Sequence, residues 1–557
     1  MKTKTLLFLL VLLFLIPGCA FFEPGYTPSR LKAYNPPSEF INYPVIDVHA
    51  HTFNARYLPI RNIIRARRLD FPQLANVNER KLLRVGDFLV SITRRSHFNR
   101  ASLDRLEARA AQTGKTVTPL QAVSRDPVVP ERDDADKMSA NVSATQLSTR
   151  AALIPPSSSE LRQFAQLMLP EEKRAQESPQ KAVSAGSGVE PVVRFLGFLT
   201  SSEQRLAREL STSEFGGRVR LFVNHTMDLG PVFGESPDGE RFLDFQTQQL
   251  PRVRELDREM NGRFLHFVAW NPYRRPNDPS LAALRPLSLI RDAVRRGAWG
   301  VKFYPPSGYR PAENDIIAPP APGELRVQWD ARYAMVPGAS LQALNARLDA
   351  INERLFAWAE ENDIPVFSHS AGGEFNAAKD YGQRNAHPKY WRTVLARHPR
   401  LRLCLAHAGG ADFWFHRNIT GNGEWGREVY ELCTTYPNVY CEYGAQDEIL
   451  EIGQRNAFVR RIADLVRQSG AARPYHFADK IMYGSDWFMP TRAAPRTLYL
   501  DMYREAFLRP ELKDTYKNFF CRNAMRYLRL EQRLDTQANL TPTMQANLRR
   551  LIADSKE

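Results

Sequence analysis

The chain has 557 residues, of which 43% are hydrophobic, so it can bury a real core in one very large domain or in two to four ordinary ones. Its 76 Lys and Arg residues exceed its 61 Asp and Glu residues and give a net charge of +15. The excess is scattered through segments such as RNIIRARRL and SITRRSHFNR, which argues against nucleic-acid binding and is typical of a solvated surface, although it could also favour anionic membranes or acidic partners.

The first residues have the pattern of an export signal. MKTKT supplies two lysines, and LLFLLVLLFLI comes next as an apolar run too short for a comfortable membrane span. The run ends in IPGC, which resembles the bacterial lipobox, so residues 1–18 are predicted to be a lipoprotein signal peptide and Cys19 to be the lipidated residue. Its acyl chains would anchor the exported protein to the bacterial cell envelope, at the outer membrane or the periplasmic face. An ordinary signal peptide with an incidental cysteine is the alternative.

The stretch VIDVHAHTFN, after a proline-rich segment at 19–42 that we interpret as a tether, contains two histidines two residues apart. In a strand, His49 and His51 lie on one face, about 6–7 Å apart along the chain. Two imidazoles in that arrangement could bind one metal ion, at about 2.0–2.1 Å each. They could equally be two hydrogen-bonded polar side chains, and a metal site needs further ligands from elsewhere.

The segment from about residue 57 to 217 differs in composition from the chain that follows it. Helical patches come first, and a stretch near 121–190 is then rich in Ser, Ala, Pro and Gln, which predicts loop or partial disorder. We interpret 57–217 as an insertion into a fold, where it would serve as a lid over a site or as a surface for a partner.

Short apolar runs alternate with longer stretches of helical period in the rest of the chain. Eight strands are predicted, in YPVIDVHAHTF, VRLFVNHTMDL, RFLHFVAWNPY, AWGVKFYPP, IPVFSHSAGG, LRLCLAHAGG, NVYCEYGA and KIMYGSDWF. One intervening helix carries an apolar stripe of Leu341, Leu344, Leu348, Ile351, Leu355 and Trp358. The pattern predicts an α/β fold, a (β/α)8 TIM barrel over 43–535, with a C-terminal tail at 536–557. An open doubly wound sheet competes, but no Gly-rich dinucleotide fingerprint supports it.

Polar side chains end several of these strands. His369, His407 and Asp486 lie at the ends of the fifth, sixth and eighth strands, so in a barrel they would face the same mouth as His49 and His51. Arg310 could pair with a substrate carboxylate, and Tyr304 and Trp414 are further candidates for substrate contact. Other residues on or after strand ends are Trp270, Tyr309, Glu374 and His416. Simple loop packing is the alternative for all seven of these candidates, including Arg310, Tyr304 and Trp414.

Four cysteines remain after Cys19, namely Cys404, Cys433, Cys441 and Cys521. An exported protein would meet conditions in which disulfides persist. Their spacing is not that of a zinc ribbon or a disulfide-stapled small domain. A disulfide among them and buried free thiols both fit the sequence.

The motifs DVHAH, GVKFYP, SHSAGG, AHAGG, YGSDWF and the closing FFCRNAMRYLRL occur in the order found in the amidohydrolase superfamily. The chain resembles its amidohydrolase-related branch, which contains aminocarboxymuconate semialdehyde decarboxylase, over about 43–60 and 218–531. The resemblance implies a TIM barrel holding one divalent metal ion through His49, His51, His369 and Asp486. It also implies that His407 transfers a proton or polarises the substrate, and that Asp486 helps to deprotonate water. This ligand set favours Zn²⁺, although Mn²⁺ or Fe²⁺ would tolerate it.

Lys302, in GVKFYP at the fourth strand, leaves the number of metal ions open. Some members of the superfamily carboxylate a lysine at this strand to bridge two metals. An unmodified Lys302 could instead pair with Asp486 or with an anionic substrate, or be structural. We favour a site with one metal ion.

Three functions are compatible with these residues. The first is a metal-dependent hydrolase that uses activated water on a small amide, ester or lactone. A metal-dependent decarboxylase would keep the same ligands and differ in its substrate pocket. A barrel retained as a non-catalytic binding lipoprotein is the third, although the sequence has lost none of the implied ligands. The oligomeric state is not predicted.

Overall fold

The computed structural model describes residues 40, 42–60, 63–64, 79–93, 195, 197–215, 217–230, 245–274, 286–314, 340–373, 376–377, 380–416, 423–492 and 498–557. The signal peptide with Cys19, most of the tether, much of the insertion and Glu374 therefore lie outside the described residues. None of the described helices is long and apolar enough to cross a membrane.

Eight parallel strands succeed one another in chain order around a single sheet. They are β1 (Val45–Ala50), β2 (Val219–His225), β3 (Phe264–Ala269), β4 (Gly300–Phe303), β5 (Val366–His369), β6 (Leu403–Ala406), β7 (Val439–Glu442) and β8 (Ile481–Met482). Each strand is almost wholly buried, which explains why they read as continuous apolar runs. All eight strand predictions are confirmed.

The chain segment after β8 closes the sheet against β1. The amide of Val48 donates to the carbonyl of Tyr483 at 3.1 Å, and the amide of His51 donates to that of Trp487 at 2.8 Å. The amide of Asp486 donates in return to the carbonyl of His49 at 2.7 Å. The predicted (β/α)8 barrel is thereby confirmed. The same hydrogen bonds bring Asp486 next to His49 and His51.

Helices surround the barrel between the strands. In the described residues they are α1 (Glu79–Ile92), α2 (Glu203–Glu209), α3 (Leu250–Glu259), α4 (Pro286–Arg295), α5 (Leu341–Glu361), α6 (Tyr381–Asn385), α7 (Tyr390–Arg397), α8 (Asp412–Phe415), α9 (Gly423–Thr435), α10 (Ile452–Ala472), α11 (Leu498–Phe507), α12 (Asn523–Leu528), α13 (Leu530–Arg533) and α14 (Pro542–Asp554). Helix α5 confirms the predicted stripe, because Leu344, Leu348 and Leu355 are buried and Ile351 and Trp358 pack against the core.

The last residues cover the end of the barrel at which the strands start. Within the segment predicted as a tail, α14 begins after Thr541, whose hydroxyl accepts from the amide of Met544, and it buries Leu548 and Leu551. The Tyr43 hydroxyl, two residues before β1, donates to the carbonyl of Ser555 at 3.2 Å. Residues 542–554 therefore form a packed helix at this end of the barrel.

The part of the insertion that the structure describes nearest to β2 packs at the opposite end, beside the loop after β8. The Phe198 ring lies 4.8 Å from that of Trp487, and the Phe195 ring lies 5.3 Å from that of Phe488. The side chain of Asn54, just after β1, donates to the carbonyl of Ser201 at 3.0 Å. This returning arm, residues 195 and 197–215, therefore forms part of the wall near the barrel mouth.

The four cysteines other than Cys19 are buried free thiols in the structure. Burial raises the pKa of the Cys404 and Cys521 thiols, so both stay protonated at neutral pH. Of the two alternatives that the sequence allowed, the structure shows free thiols.

Candidate metal centre

His49, His51 and Asp486 converge at the strand ends where β1 and β8 meet. The Nε2 atoms of His49 and His51 lie 3.2 Å and 3.1 Å from the same oxygen, Oδ1 of Asp486. All three side chains are buried. They form one of two described groups whose donor atoms lie within 4.8 Å of one another.

Nδ1, the other ring nitrogen of His49 and of His51, faces a hydrogen-bond acceptor in both residues. Nδ1 of His49 lies 2.9 Å from Oε1 of Glu442, and Nδ1 of His51 lies 2.8 Å from the carbonyl oxygen of His225. A proton on each Nδ1 satisfies these acceptors, and each Nε2, which faces Asp486, is then the nitrogen that would bind a cation. Metal-binding histidines in proteins are oriented in this way, with the distal nitrogen held by a carboxylate or a carbonyl.

The donor chemistry fits a divalent metal ion. Burial, and then the charge of Lys302, lower the pKa of His49 well below its usual value, so its imidazole is neutral. Burial alone would raise the pKa of Asp486, but the hydrogen bond and charge of His51 outweigh it and lower the pKa. Ligands about 2.0–2.1 Å from a tetrahedral ion are about 3.3 Å apart, close to the observed spacings. Two imidazoles and a carboxylate suit Zn²⁺ and also Mn²⁺.

His369 and His407 lie side by side next to this group. Nδ1 of His369 is 3.1 Å from Nε2 of His407, and Nε2 of His369 is 3.1 Å from the carbonyl of Ala371. Nδ1 of His407 is held by the carbonyl of Gly444 at 2.9 Å. His369, which the resemblance implied as a fourth ligand, belongs to neither described metal-capable group, and its two ring nitrogens face His407 and the carbonyl of Ala371.

The second group of close donor atoms joins His49, His407 and Glu442. Here the Glu442 oxygens already accept hydrogen bonds, Oε1 from the His407 amide at 2.9 Å and Oε2 from the Gly444 amide at 2.5 Å. Together with the bond to His49, these contacts make Glu442 a supporting residue for its neighbours rather than a metal ligand.

Lys302, at the end of β4, also reaches this point. Its Nζ lies 3.1 Å from Nε2 of His49 and 4.6 Å from the centre of the Phe367 ring. Phe367 fills the barrel beneath the site and also contacts His225, whose ring centre is 4.1 Å away. The ammonium group is therefore placed to contact a ligand of the metal or a bound substrate.

One cavity is lined by the predicted site residues and by apolar side chains. His49, His51, Lys302, Tyr304, His369, His407 and Asp486 line it, together with Phe53, Met227 and Met489. Tyr304 thus reaches the cavity, with its ring 5.0 Å from that of His369. The apolar members limit access of water to the polar cluster.

Two candidates for substrate contact, Arg310 and Trp414, lie away from this cavity. Arg310 donates to the carbonyls of Arg384 and Glu313, and its guanidinium lies 4.4 Å over the ring of Tyr390. Trp414 is fully buried and donates to the carbonyl of Ala408 at 2.7 Å. Neither lines the described cavity.

The other candidates that the structure describes, Trp270, Tyr309 and His416, also make packing contacts. Trp270 donates to the side chain of Asn352, and the Tyr309 hydroxyl donates to the carbonyl of Trp270. His416 pairs with Asp412 at 3.2 Å. For each of them, the alternative of simple loop packing describes the observed contacts.

Two further residues of the site, His225 and Glu442, were not among those predicted from the sequence. Each is the last residue of its strand, β2 and β7 respectively; His225 supports His51 and Glu442 supports His49. The sequence pattern that pointed to His369 and Asp486, a polar residue at the end of a buried apolar strand, is also present at His225 and Glu442.

Comparison with known proteins adds a family match. The family model described as Amidohydrolase matches residues 247–530, whereas no curated protein sequence matches significantly. An amidohydrolase from Burkholderia multivorans with bound zinc is 15% identical, with 60% of this chain and 91% of that chain covered and a TM-score of 0.35. A 5-carboxyvanillate decarboxylase from Novosphingobium aromaticivorans, complexed with manganese, is 13% identical over 63% of this chain and 91% of that chain, with a TM-score of 0.34.

Proposed function

The chain belongs to the amidohydrolase family, and we propose that it is a metal-dependent hydrolase that uses activated water on an amide, ester or lactone of a small molecule. One observation carries the proposal. Two histidines held at Nδ1 present their Nε2 atoms to one carboxylate oxygen of Asp486, at 3.1–3.2 Å. That arrangement orients donors for a cation and would have little purpose in a structural cluster.

His49, His51 and Asp486 would hold the ion, and we propose that it is a single Zn²⁺. When bound, the metal supplies Lewis acidity, which polarises a carbonyl and lowers the pKa of water from 15.7 toward about 7. In this single-ion proposal Lys302 is an unmodified amine, whose Nζ lies 3.1 Å from Nε2 of His49 and would contact a metal ligand or the substrate. His369, the last residue of β5, is the proposed additional ligand.

His407 is the proposed proton-transfer group. Its Nδ1 is held by the carbonyl of Gly444, so a proton can be exchanged at Nε2, which faces the cavity beside His369. Asp486 can assist because its carboxylate is ionised. Phe53, Met227 and Met489 line the same cavity and favour a substrate with an apolar portion next to the hydrolysed bond.

The test combines metal analysis with a product survey. Purified full-length protein is expected to contain one equivalent of zinc, and to hydrolyse members of a panel of apolar amides, esters and lactones with incorporation of ¹⁸O from labelled water. Manganese in place of zinc would contradict the choice of ion, and two equivalents would contradict the single-ion site. Release of CO₂ from aromatic carboxylates without ¹⁸O incorporation would identify a decarboxylase and overturn the proposal of hydrolysis.

We also propose that the protein is exported and lipid-anchored through Cys19. The lipobox supports this, and the first described residues pack where such an anchor could reach the barrel without covering its mouth. Phe40 packs edge-to-face against Tyr516 with ring centres 4.8 Å apart, at the end where the strands start. The mouth would then face away from the membrane.

Replacing Cys19 with Ala is therefore expected to move the protein from the membrane fraction to the soluble fraction and to abolish incorporation of labelled fatty acid. Acyl chains bind through about 0.8 kcal/mol per buried CH₂ group, so their loss removes the anchor. The matched control is Cys521→Ala, which removes a buried free thiol from the barrel and should leave membrane association unchanged. Retention of Cys19→Ala in the membrane fraction would contradict the anchor.

A further inference from the structure

Glu442 is a fully buried carboxylate at the end of β7, and it receives three N–H donors. Oε1 lies 2.9 Å from Nδ1 of His49 and 2.9 Å from the amide nitrogen of His407. Oε2 accepts from the amide of Gly444 at 2.5 Å. One side chain thus joins the residue proposed to bind the metal to the residue proposed to transfer the proton.

Two glycines make room for this carboxylate. A Cβ atom added at Gly484 would lie 2.2 Å from Oε2 of Glu442, and one added at Gly444 would lie 2.8 Å from it. The same two Cβ atoms would lie 3.0 Å and 3.1 Å from atoms of His49. A side chain at either position would displace the Glu442 carboxylate, so the two glycines leave the room that holds it against His49.

The backbone that presents His407 is strained, and Glu442 supports it. His407 and Ala408 have φ values of 57° and 47°, in the left-handed region that residues other than glycine rarely adopt. The Glu442 carboxylate holds the His407 amide, and the Gln446 side chain donates to the His407 carbonyl at 2.5 Å. Both polar groups of the strained residue are thereby fixed.

We infer that Glu442 is a positioning residue, which sets the tautomer of His49 and holds the strained backbone of His407, so that the metal ligand and the proton-transfer group keep one mutual geometry. The inference rests on the proposed function for the roles of the two histidines. Glu442 itself contacts neither metal nor substrate. Its effect passes through the hydrogen bonds to its three partners.

Glu442→Gln tests the inference. An amide of the same shape can still accept at one position, but its NH₂ group must then face an N–H donor, so the three bonds cannot all form. Zn²⁺ affinity, measured by chelator competition, is expected to fall about 10- to 100-fold. The Co²⁺-substituted variant should show an altered visible spectrum. Affinity and spectrum equal to those of the natural chain would overturn the inference.

The matched control is Asp257→Asn. Asp257 is also a buried carboxylate bonded to a histidine, with its Oδ2 at 2.5 Å from Nδ1 of His266, but the pair lies between α3 and β3, away from the cavity. This variant should retain the Zn²⁺ affinity of the natural chain. An equal loss of affinity in both variants would show a general structural effect and would count against positioning by Glu442.

A second readout on metal-free protein separates this inference from the proposed function. In the natural chain the ¹⁵N chemical shifts of His49 should show a proton on Nδ1, and in Glu442→Gln they should show mixed tautomers. If the natural chain binds no Zn²⁺, the proposed function fails and these shifts alone decide the inference. Unchanged shifts would overturn it. Should Glu442→Gln fail to fold, Glu442→Asp, which keeps the charge but withdraws it by one methylene, is measured in the same way.

Discussion

A chain in which His49 and His51 are both replaced by Ala is expected to be purified without bound metal and to lose measurable hydrolysis. Two of the three close donors would be gone, and Asp486 alone provides a single carboxylate. The Lewis acidity of a bound metal contributes several kcal/mol to transition-state stabilisation, and a loss of about 4 kcal/mol corresponds to about a thousandfold in rate. Elemental analysis and hydrolysis of the substrate identified in the product survey measure both effects.

The control for that variant is His398→Ala. His398 is a buried histidine too, with Nε2 at 2.8 Å from Glu353 and Nδ1 at 3.2 Å from Glu360, but these residues do not line the described cavity. It should retain metal and activity, while its stability decreases because two glutamates lose a partner. Full metal occupancy in the His49→Ala, His51→Ala chain would show that the ion binds elsewhere and would refute the site assignment.

The barrel was predictable because its strands carry two signals, buried apolar runs and polar residues at their ends. Parallel strands must be covered on both faces, so their sequences are continuously apolar, and their ends must meet at one mouth. The pairing of His49 and His51 results from strand period alone. Their contact with Asp486 results from closure of the barrel between the first and last strands.

The contacts of a loop residue were not predictable from its place after a strand. Arg310 and Trp414 come after strand ends as His407 does, yet their side chains turn toward Tyr390 and the core, because loop backbone dihedrals set the direction. The left-handed backbone at His407, by contrast, has no sequence signal beyond the glycines just after it. For His369, a bond from its ring to the carbonyl of Ala371 fixes an orientation that strand geometry does not determine.

Two features that were not predicted, the C-terminal helix and the role of Glu442, nevertheless had signals in the sequence. Met544, Leu548, Leu551 and Ile552 repeat at helical spacing within the segment interpreted as a tail, and all four are buried in the structure. Glu442 ends an apolar strand, where a carboxylate is costly unless several donors surround it. A buried acidic residue predicted at a strand end is therefore itself an indication of a polar site.

Replacing His407 with Asn is expected to lower kcat by about 10²- to 10⁴-fold while metal binding is retained. The Asn amide can still donate to the carbonyl of Gly444, as Nδ1 of His407 does at 2.9 Å, but it cannot exchange a proton beside His369. His416→Asn is the control, because that histidine pairs with Asp412 and does not line the cavity. Steady-state kinetics with parallel zinc analysis would show whether kcat falls while the zinc content is unchanged. An unchanged kcat would remove His407 from proton transfer, whereas loss of zinc together with activity would make it a metal ligand.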